Sequence, residues 1–139
     1  MVRFKNVDAT VPETRQVLET LQRHCLPHDD PTFPKDGVWW IGYDGQPVAF
    51  CCIKPSRWWS DTAYLARAGV LGAWRGNGLQ KRMIRLRERW ARRNNYRWLI
   101  TDTSENPPSG NSLISCGYKV YTPRNPWALE TSVYWRKKI

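Results

Sequence analysis

Ala68-Gly69-Val70-Leu71-Gly72-Ala73-Trp74-Arg75-Gly76-Asn77-Gly78-Leu79-Gln80 is the stretch on which the fold of this chain turns. Upstream of it, Thr62 to Leu71 reads as a strand, and Gly72 to Gly78 as a glycine-containing loop. From Leu79 the apolar period changes to that of a helix, with Leu79, Met83, Leu86 and Trp90 in one stripe. Lys81, Arg82, Arg85, Arg89, Arg92 and Arg93 fall elsewhere on that helix, and Asn94-Asn95 ends it. Glycines at 76 and 78 allow positive φ and close approach of the backbone to a ligand. A helix start offers unpaired amide donors and the positive end of its dipole, which together make an anion site. A diphosphate there would be held by backbone groups, with Arg75 and the basic first turns adding Coulombic attraction.

Working outward, Val2 to Val7 alternates apolar and charged residues, the pattern of a half-buried strand. Thr10-Val11-Pro12-Glu13 reads as a capping box, and Val17, Leu18, Leu21 and Cys25 continue a helix to about His24. Pro27 to Asp36 is a loop. Val38 to Tyr43 and Pro47 to Ile53 form a hairpin around the two-residue turn signal Asp44-Gly45. Pro55 to Ser60 is irregular. On the other side, Trp98 to Thr103 is a strand that Asn106-Pro107-Pro108 stops. A short helix follows from about Ser109 to Ser115, with Gly117 as its left-handed terminator. Lys119 to Thr122 and Ser132 to Arg136 make a last pair of strands. The order is β-α-β-β-β-α-β-α-β-β, an α/β (α+β) domain spanning residues 1–139 with no internal repeat.

Composition narrows the function classes. The formal charge is +10 and the pI about 9.9, which favours polyanions: a phosphorylated cofactor, a nucleic acid or an acidic protein. The cysteines, Cys25, Cys51, Cys52 and Cys116, show no Cys-x-x-Cys spacing, and His24 and His28 complete no zinc pattern, so no metal site is expected. Free thiols, no apolar run long enough to span a bilayer and no signal-peptide pattern lead to the expectation of a cytoplasmic protein without membrane partners. One member of the adjacent pair Cys51 and Cys52 is expected in the core. Of the nine tryptophans, the neighbours Trp39-Trp40 and Trp58-Trp59 point to opposite strand faces, so part of each pair is expected to line a groove.

The loop resembles the coenzyme A signature of the GNAT acetyltransferases, Arg/Gln-x-x-Gly-x-Gly/Ala at a strand-loop-helix junction, here Arg75-Gly76-Asn77-Gly78-Leu79-Gln80. Gln80 stands where a small residue is usual. Ala68 to Leu71 fits the upstream strand end, with Gly72 in place of a proline. A second block, Asn-x-x-Ala followed by a Gly-Phe pair, is matched in spacing by Asn106, Ser109 and Gly117-Tyr118. The resemblance covers residues 62 to 121 well and the N-terminal elements in type only. It implies a mixed central sheet of six to seven strands with the fourth and fifth splayed. It also implies acetyl-coenzyme A as cofactor, an acyl group transferred directly to an amine, and a backbone amide near Leu71 on the thioester oxygen. The cofactor-binding residues it implies are Val70, Leu71, Arg75, Gly76, Asn77, Gly78, Leu79, Gln80, Asn106 and Ser109.

The catalytic side is less determined. Leu113 occupies the position of the tyrosine that usually protonates the leaving thiolate, which leaves water, Tyr118 or Tyr121 for that task. For the general base, Tyr64 on the fourth strand and Asp102 on the fifth are the candidates, beside a chain of waters. The acceptor is an amine, small or macromolecular, bounded by His28, Asp29, Asp30, Trp39, Trp40, Trp58, Trp59, Glu105, Trp127 and Trp135. Aromatic walls with carboxylates suit a cationic amine or a stackable base. The basic helix exceeds what a coenzyme needs. Its surplus is either a solvated face or a nucleic-acid contact, so a GNAT-fold protein that binds nucleic acid or modifies a nucleobase stands as the alternative. Monomer and homodimer are both open.

Overall fold

The computed structural model describes all residues from Met1 to Ile139. The elements are β1 (Arg3–Val7), α1 (Pro12–Cys25), β2 (Val38–Tyr43), β3 (Pro47–Pro55), β4 (Thr62–Val70), α2 (Leu79–Arg93), β5 (Trp98–Ser104), α3 (Pro107–Ser115), β6 (Lys119–Tyr121) and β7 (Ser132–Lys138), with a 3₁₀ turn at Gly72–Trp74. The seven strands follow the order β1-β2-β3-β4-β5-β7-β6. The sheet is mixed: β4 and β5 run parallel, while β1–β2, β2–β3, β5–β7 and β6–β7 are antiparallel. The element order is the one the sequence predicts. The chain divides into two compact units, Met1–Lys54 with Ala66–Gln80, and Pro55–Leu65 with Lys81–Ile139.

In the first unit, α1 lays Leu18 and Leu21 on Trp39, Ile41, Phe50 and Cys52. Gly69 marks the closest approach: a Cβ there would stand 2.5 Å from Cys25 Cβ and 2.8 Å from Phe50. Any larger residue would drive β4 off the helix. Gln22, fully buried, exchanges hydrogen bonds with Thr32 N (3.1 Å) and Thr32 O (3.1 Å), which pins the Pro27–Asp36 loop to α1.

In the second unit, α2 hides Met83, Ile84, Arg87, Glu88 and Ala91, while Leu86 and Trp90 are only half-buried. The buried face is therefore rotated from the expected stripe. The reason is polar: Glu88 receives Tyr118 Oη (3.0 Å) and Lys137 Nζ (2.9 Å), and Lys137 also donates to Cys116 O (2.7 Å). Paired in this way, a carboxylate can be buried. The one acid of the helix is thus spent inside, and Lys81, Arg82, Arg85, Arg89, Arg92 and Arg93 remain exposed. Trp135 packs beside Gly110 and donates to Thr103 Oγ1 (3.0 Å).

Four local expectations change. The capping box does not form, because Asp8 takes both Thr10 N (2.9 Å) and the Thr10 hydroxyl (2.6 Å) and α1 starts at Pro12 without a side-chain cap. The hairpin loop holds three residues, with Asp44 N bonded to Gln46 O and a register shift at Gly42/Tyr43. Trp39 and Trp40 are both buried, since β2 lies between β1 and β3 and is covered on both faces. Cys51 and Cys52 are likewise both core residues.

Candidate active site

The first unit carries the anion loop. Val70 ends β4, Leu71 leads into the 3₁₀ turn, and Arg75 through Gly78 bring the chain to α2 at Leu79 and Gln80. Gly76 (φ 82°) and Gly78 (φ 73°) both adopt the left-handed conformation that excludes most side chains. Trp74 N and Arg75 N close on Leu71 O and Gly72 O, and no backbone carbonyl accepts from Gly76 or Gly78. A Cβ built at Gly72, Gly76 or Gly78 meets no atom within 4 Å, so no protein packs on that side of the loop. The loop is braced from beneath by Trp74 Nε1 to Asp44 Oδ2 (3.0 Å) and Asn77 Nδ2 to Trp74 O (3.1 Å). Positive-φ glycines, free amides and a cationic helix start fit a diphosphate.

One expectation needs refinement at the strand end. The Leu71 amide is already donated to Val48 O (2.9 Å), so it is not free for a ligand. Strand alternation directs the amide of Val70 to the opposite edge. The Val70 carbonyl confirms that geometry, because it is taken by the side chain of Arg75 (Nε, 3.2 Å) rather than by β3. Asn106 and Ser109, also implied as cofactor contacts, sit in the second unit. There the Asn106 side chain caps α3 by accepting from Ser109 N (3.2 Å).

The second unit brings Tyr64 and Asp102 together. Tyr64 pairs in register with Ile100, and Asp102 lies two residues further along β5 on the same face. The Tyr64 hydroxyl donates to Asp102 Oδ1, and Trp127 Nε1 donates to the same oxygen (3.3 Å). Burial, and then the adjacent Asp102 charge, push the Tyr64 phenol far above its ordinary value. In this arrangement Tyr64 is held as a neutral hydroxyl that donates to Asp102. Asp102 keeps lone pairs for a further donor.

Aromatic side chains surround the pair. Trp127 meets Tyr134 edge-on (4.5 Å, 73°), Tyr64 edge-on (6.4 Å, 73°) and Trp58 at 5.0 Å. Ser56 Oγ accepts from Trp58 N and Trp59 N, fixing the loop that presents those two exposed indoles. Of the predicted acceptor residues, Trp58, Trp59 and Trp127 share this unit and this cluster. Trp39 and Trp40 are buried in the first unit, and Trp135 is buried against α3. His28, Asp29 and Asp30 are exposed on a loop of the first unit, and Glu105 is exposed after β5. Leu113 is buried, as an apolar side chain should be, and Tyr118 is committed to Glu88. Reading the sequence missed Tyr134, Ser56 and Arg136. The strand register, which pairs Asp102 with Tyr134 and Ile100 with Arg136, brings the last two to this face, while Ser56 follows β3 in the loop that carries Trp58 and Trp59.

Fold and loop together define an α/β protein of the acetyltransferase class. A sequence model of the Acetyltransferase (GNAT) family matches residues 7–118, and the chain belongs to that family. Among solved structures it is similar to an IAA acetyltransferase from Bacillus cereus, at 13% identity with 100% of each chain covered and a TM-score of 0.77. It is also similar to the ribosomal-protein-S18-alanine N-acetyltransferase of Escherichia coli, at 14% identity, with 100% of this chain and 94% of that one covered and a TM-score of 0.77. A Bacillus subtilis acetyltransferase solved in complex with CoA is a third, at 12% identity, 100% and 99% coverage and a TM-score of 0.78. No curated protein matches the chain. No helix is long and apolar enough to cross a membrane.

Proposed function

We propose that this chain is an acyl-coenzyme A-dependent N-acyltransferase that transfers an acetyl group directly to an amine. The observation that carries the reading is the loop Arg75–Gly78, whose two left-handed glycines and free amides open the cationic helix α2. Acetyl-coenzyme A would supply there an acyl group activated as a thioester. Amides of Gly76 and Gly78 would hold diphosphate oxygens, and the charge of Arg75 would add to the attraction. Leu79 and Gln80 begin the helix whose dipole faces the anion. The Val70 amide, rather than that of Leu71, would be the backbone donor offered to the thioester oxygen.

On the acceptor side, Asp102 would take the amine's proton as the C–N bond forms and the C–S bond breaks, and the released thiolate would take a proton from water. Tyr64, kept neutral, orients that carboxylate by donating to it and leaves its other lone pairs facing the substrate. The test is release of free coenzyme A thiol over a panel of amines. Asp102→Asn should cut kcat by about a hundredfold or more, while acetyl-coenzyme A affinity is kept. Tyr64→Phe should cost less, through misorientation. Unaltered turnover in Asp102→Asn would remove the assignment.

A second reading rests on the six exposed cations of α2, Lys81, Arg82, Arg85, Arg89, Arg92 and Arg93. In that reading the chain binds nucleic acid or modifies a nucleobase, with little or no acetyl transfer.

A further inference from the structure

The second unit holds a cavity of about 270 Å³ lined by Trp59, Asp61, Thr62, Trp98, Ile100, Tyr121 and Arg136. Two of its groups, the exposed Arg136 side chain and the buried Tyr121 hydroxyl, lack a hydrogen-bond partner within the protein. Arg136 lies over the faces of Tyr121 (4.7 Å) and Trp98 (5.7 Å) and makes no ion pair and no hydrogen bond. The Tyr121 hydroxyl is buried and meets no hydrogen-bond partner, an arrangement that native proteins keep rarely. The ring of Tyr121 is fixed edge-on against Tyr134 (6.5 Å, 71°).

Arg136 pairs in register with Ile100, and Tyr134 with Asp102. Arg136 and Asp102 are thus diagonal neighbours on one sheet face, with Cβ atoms about 7–8 Å apart. We infer that this cavity anchors a carboxylate on the amine acceptor, and so selects small, flat amino acids over simple amines. The inference deepens the acyltransferase reading and rests on it.

The chemistry points to that class. The Arg136 guanidinium, held beside two aromatic rings and without an ion pair, is a planar fork of N–H donors of the kind suited to bidentate carboxylate recognition. Burial pushes the Tyr121 phenol up, against the opposing effect of Arg136, so it stays an uncharged hydroxyl and puts no negative charge beside the cavity. Asp61, whose Oδ1 accepts from Thr62 Oγ1 (3.0 Å), adds one negative charge at the rim. With a single cation opposite, that charge favours a monoanion over a phosphate dianion. Size agrees: at about 30 Å³ per water-sized volume, the space holds roughly nine or ten non-hydrogen atoms. Trp59 and Trp98 supply flat walls for an unsaturated body.

Matched pairs test this: 4-aminobenzoate against aniline, and 3-aminobenzoate against aniline, in the coenzyme A release assay with wild type, Arg136→Gln, Arg136→Lys and Tyr121→Phe. The expected result is a KM at least about tenfold lower for each carboxylate member in the wild type. Arg136→Gln should raise that KM about tenfold while changing kcat less than about threefold, and Arg136→Lys should restore part of it. Equal KM values within each pair, or an equal effect of Arg136→Gln on both members, would overturn the inference. Quenching of tryptophan emission by benzoate gives a readout that needs no turnover. Saturation in the millimolar range that Arg136→Gln abolishes supports the site, and no quenching overturns it. The acyltransferase reading is checked apart, by acetyl-coenzyme A binding, so the two can fail separately.

Discussion

Gly78→Glu isolates the anion loop, because its effects on folding and on ligand binding separate in size. At φ 73° the new residue is strained by about 1–2 kcal/mol. Its Cβ enters open space, so no steric clash is added. The unfolding entropy of about 2.1 cal/mol/K per residue gives roughly 0.29 kcal/mol/K for 139 residues. The unliganded Tm should then fall by only about 3–7 °C. Acetyl-coenzyme A at a hundred times its Kd adds about 2.7 kcal/mol, a rise of roughly 9 °C in the wild type. A carboxylate about 5 Å from a phosphate charge costs roughly 3 kcal/mol at an effective dielectric near 20, two powers of ten in affinity or more. Thermal scans with and without millimolar acetyl-coenzyme A should show the shift in the wild type and lose it in Gly78→Glu. Gly78→Ala, which adds strain but no charge, should keep most of it. A full 9 °C shift in Gly78→Glu, or none in the wild type, would refute the reasoning.

Further outcomes follow from the same physics. Glu88→Ala leaves the Tyr118 hydroxyl without its acceptor and Lys137 with only Cys116 O, and should cost about 3 kcal/mol, near 10 °C in Tm; a loss under about 2 °C would show that the buried pair contributes nothing. The Tyr64, Tyr118 and Tyr121 phenols are all raised, chiefly by burial. The unfolded chain therefore releases those protons first, so stability holds below about pH 10 and falls above it. Tyrosinate absorbance near 295 nm should show these three appearing only with unfolding, and early reversible titration of all six would contradict it. Single-stranded DNA or RNA bound through α2 should lose affinity steeply with added salt, and Arg85→Glu with Arg89→Glu should flatten that slope; absent or salt-independent binding removes the second reading.

The fold was legible because its markers are local. The glycines at 76 and 78, the change of period at Leu79 and the terminator Gly117 act within a few residues, and all of them form as read. Asn106-Pro107-Pro108 reads correctly as the end of β5 but also starts α3 two residues early, because proline suits a first helical turn. What the sequence could not show depends on register. That Tyr64 donates to Asp102 follows from the pairing of β4 with β5, and that Arg136 reaches Tyr121 follows from β7 lying between β5 and β6. The buried Glu88 was hidden for the same reason: its partners are 30 and 49 residues away in the chain. The capping box failed because Asp8 competes for the Thr10 hydroxyl from two residues upstream.

The close passage of Gly69 over Cys25 has a practical outcome for chemical labelling. Cys25, Cys51 and Cys52 belong to one compact unit and Cys116 to the other, all as free thiols. Burial raises both Cys25 and Cys116 above the ordinary thiol value, which slows their reaction in the native state. Alkylation followed by peptide mapping therefore reads the exposure of Cys25 and of Cys116 separately, one in each unit. The chain carries a separate built-in clock for each half of its structure.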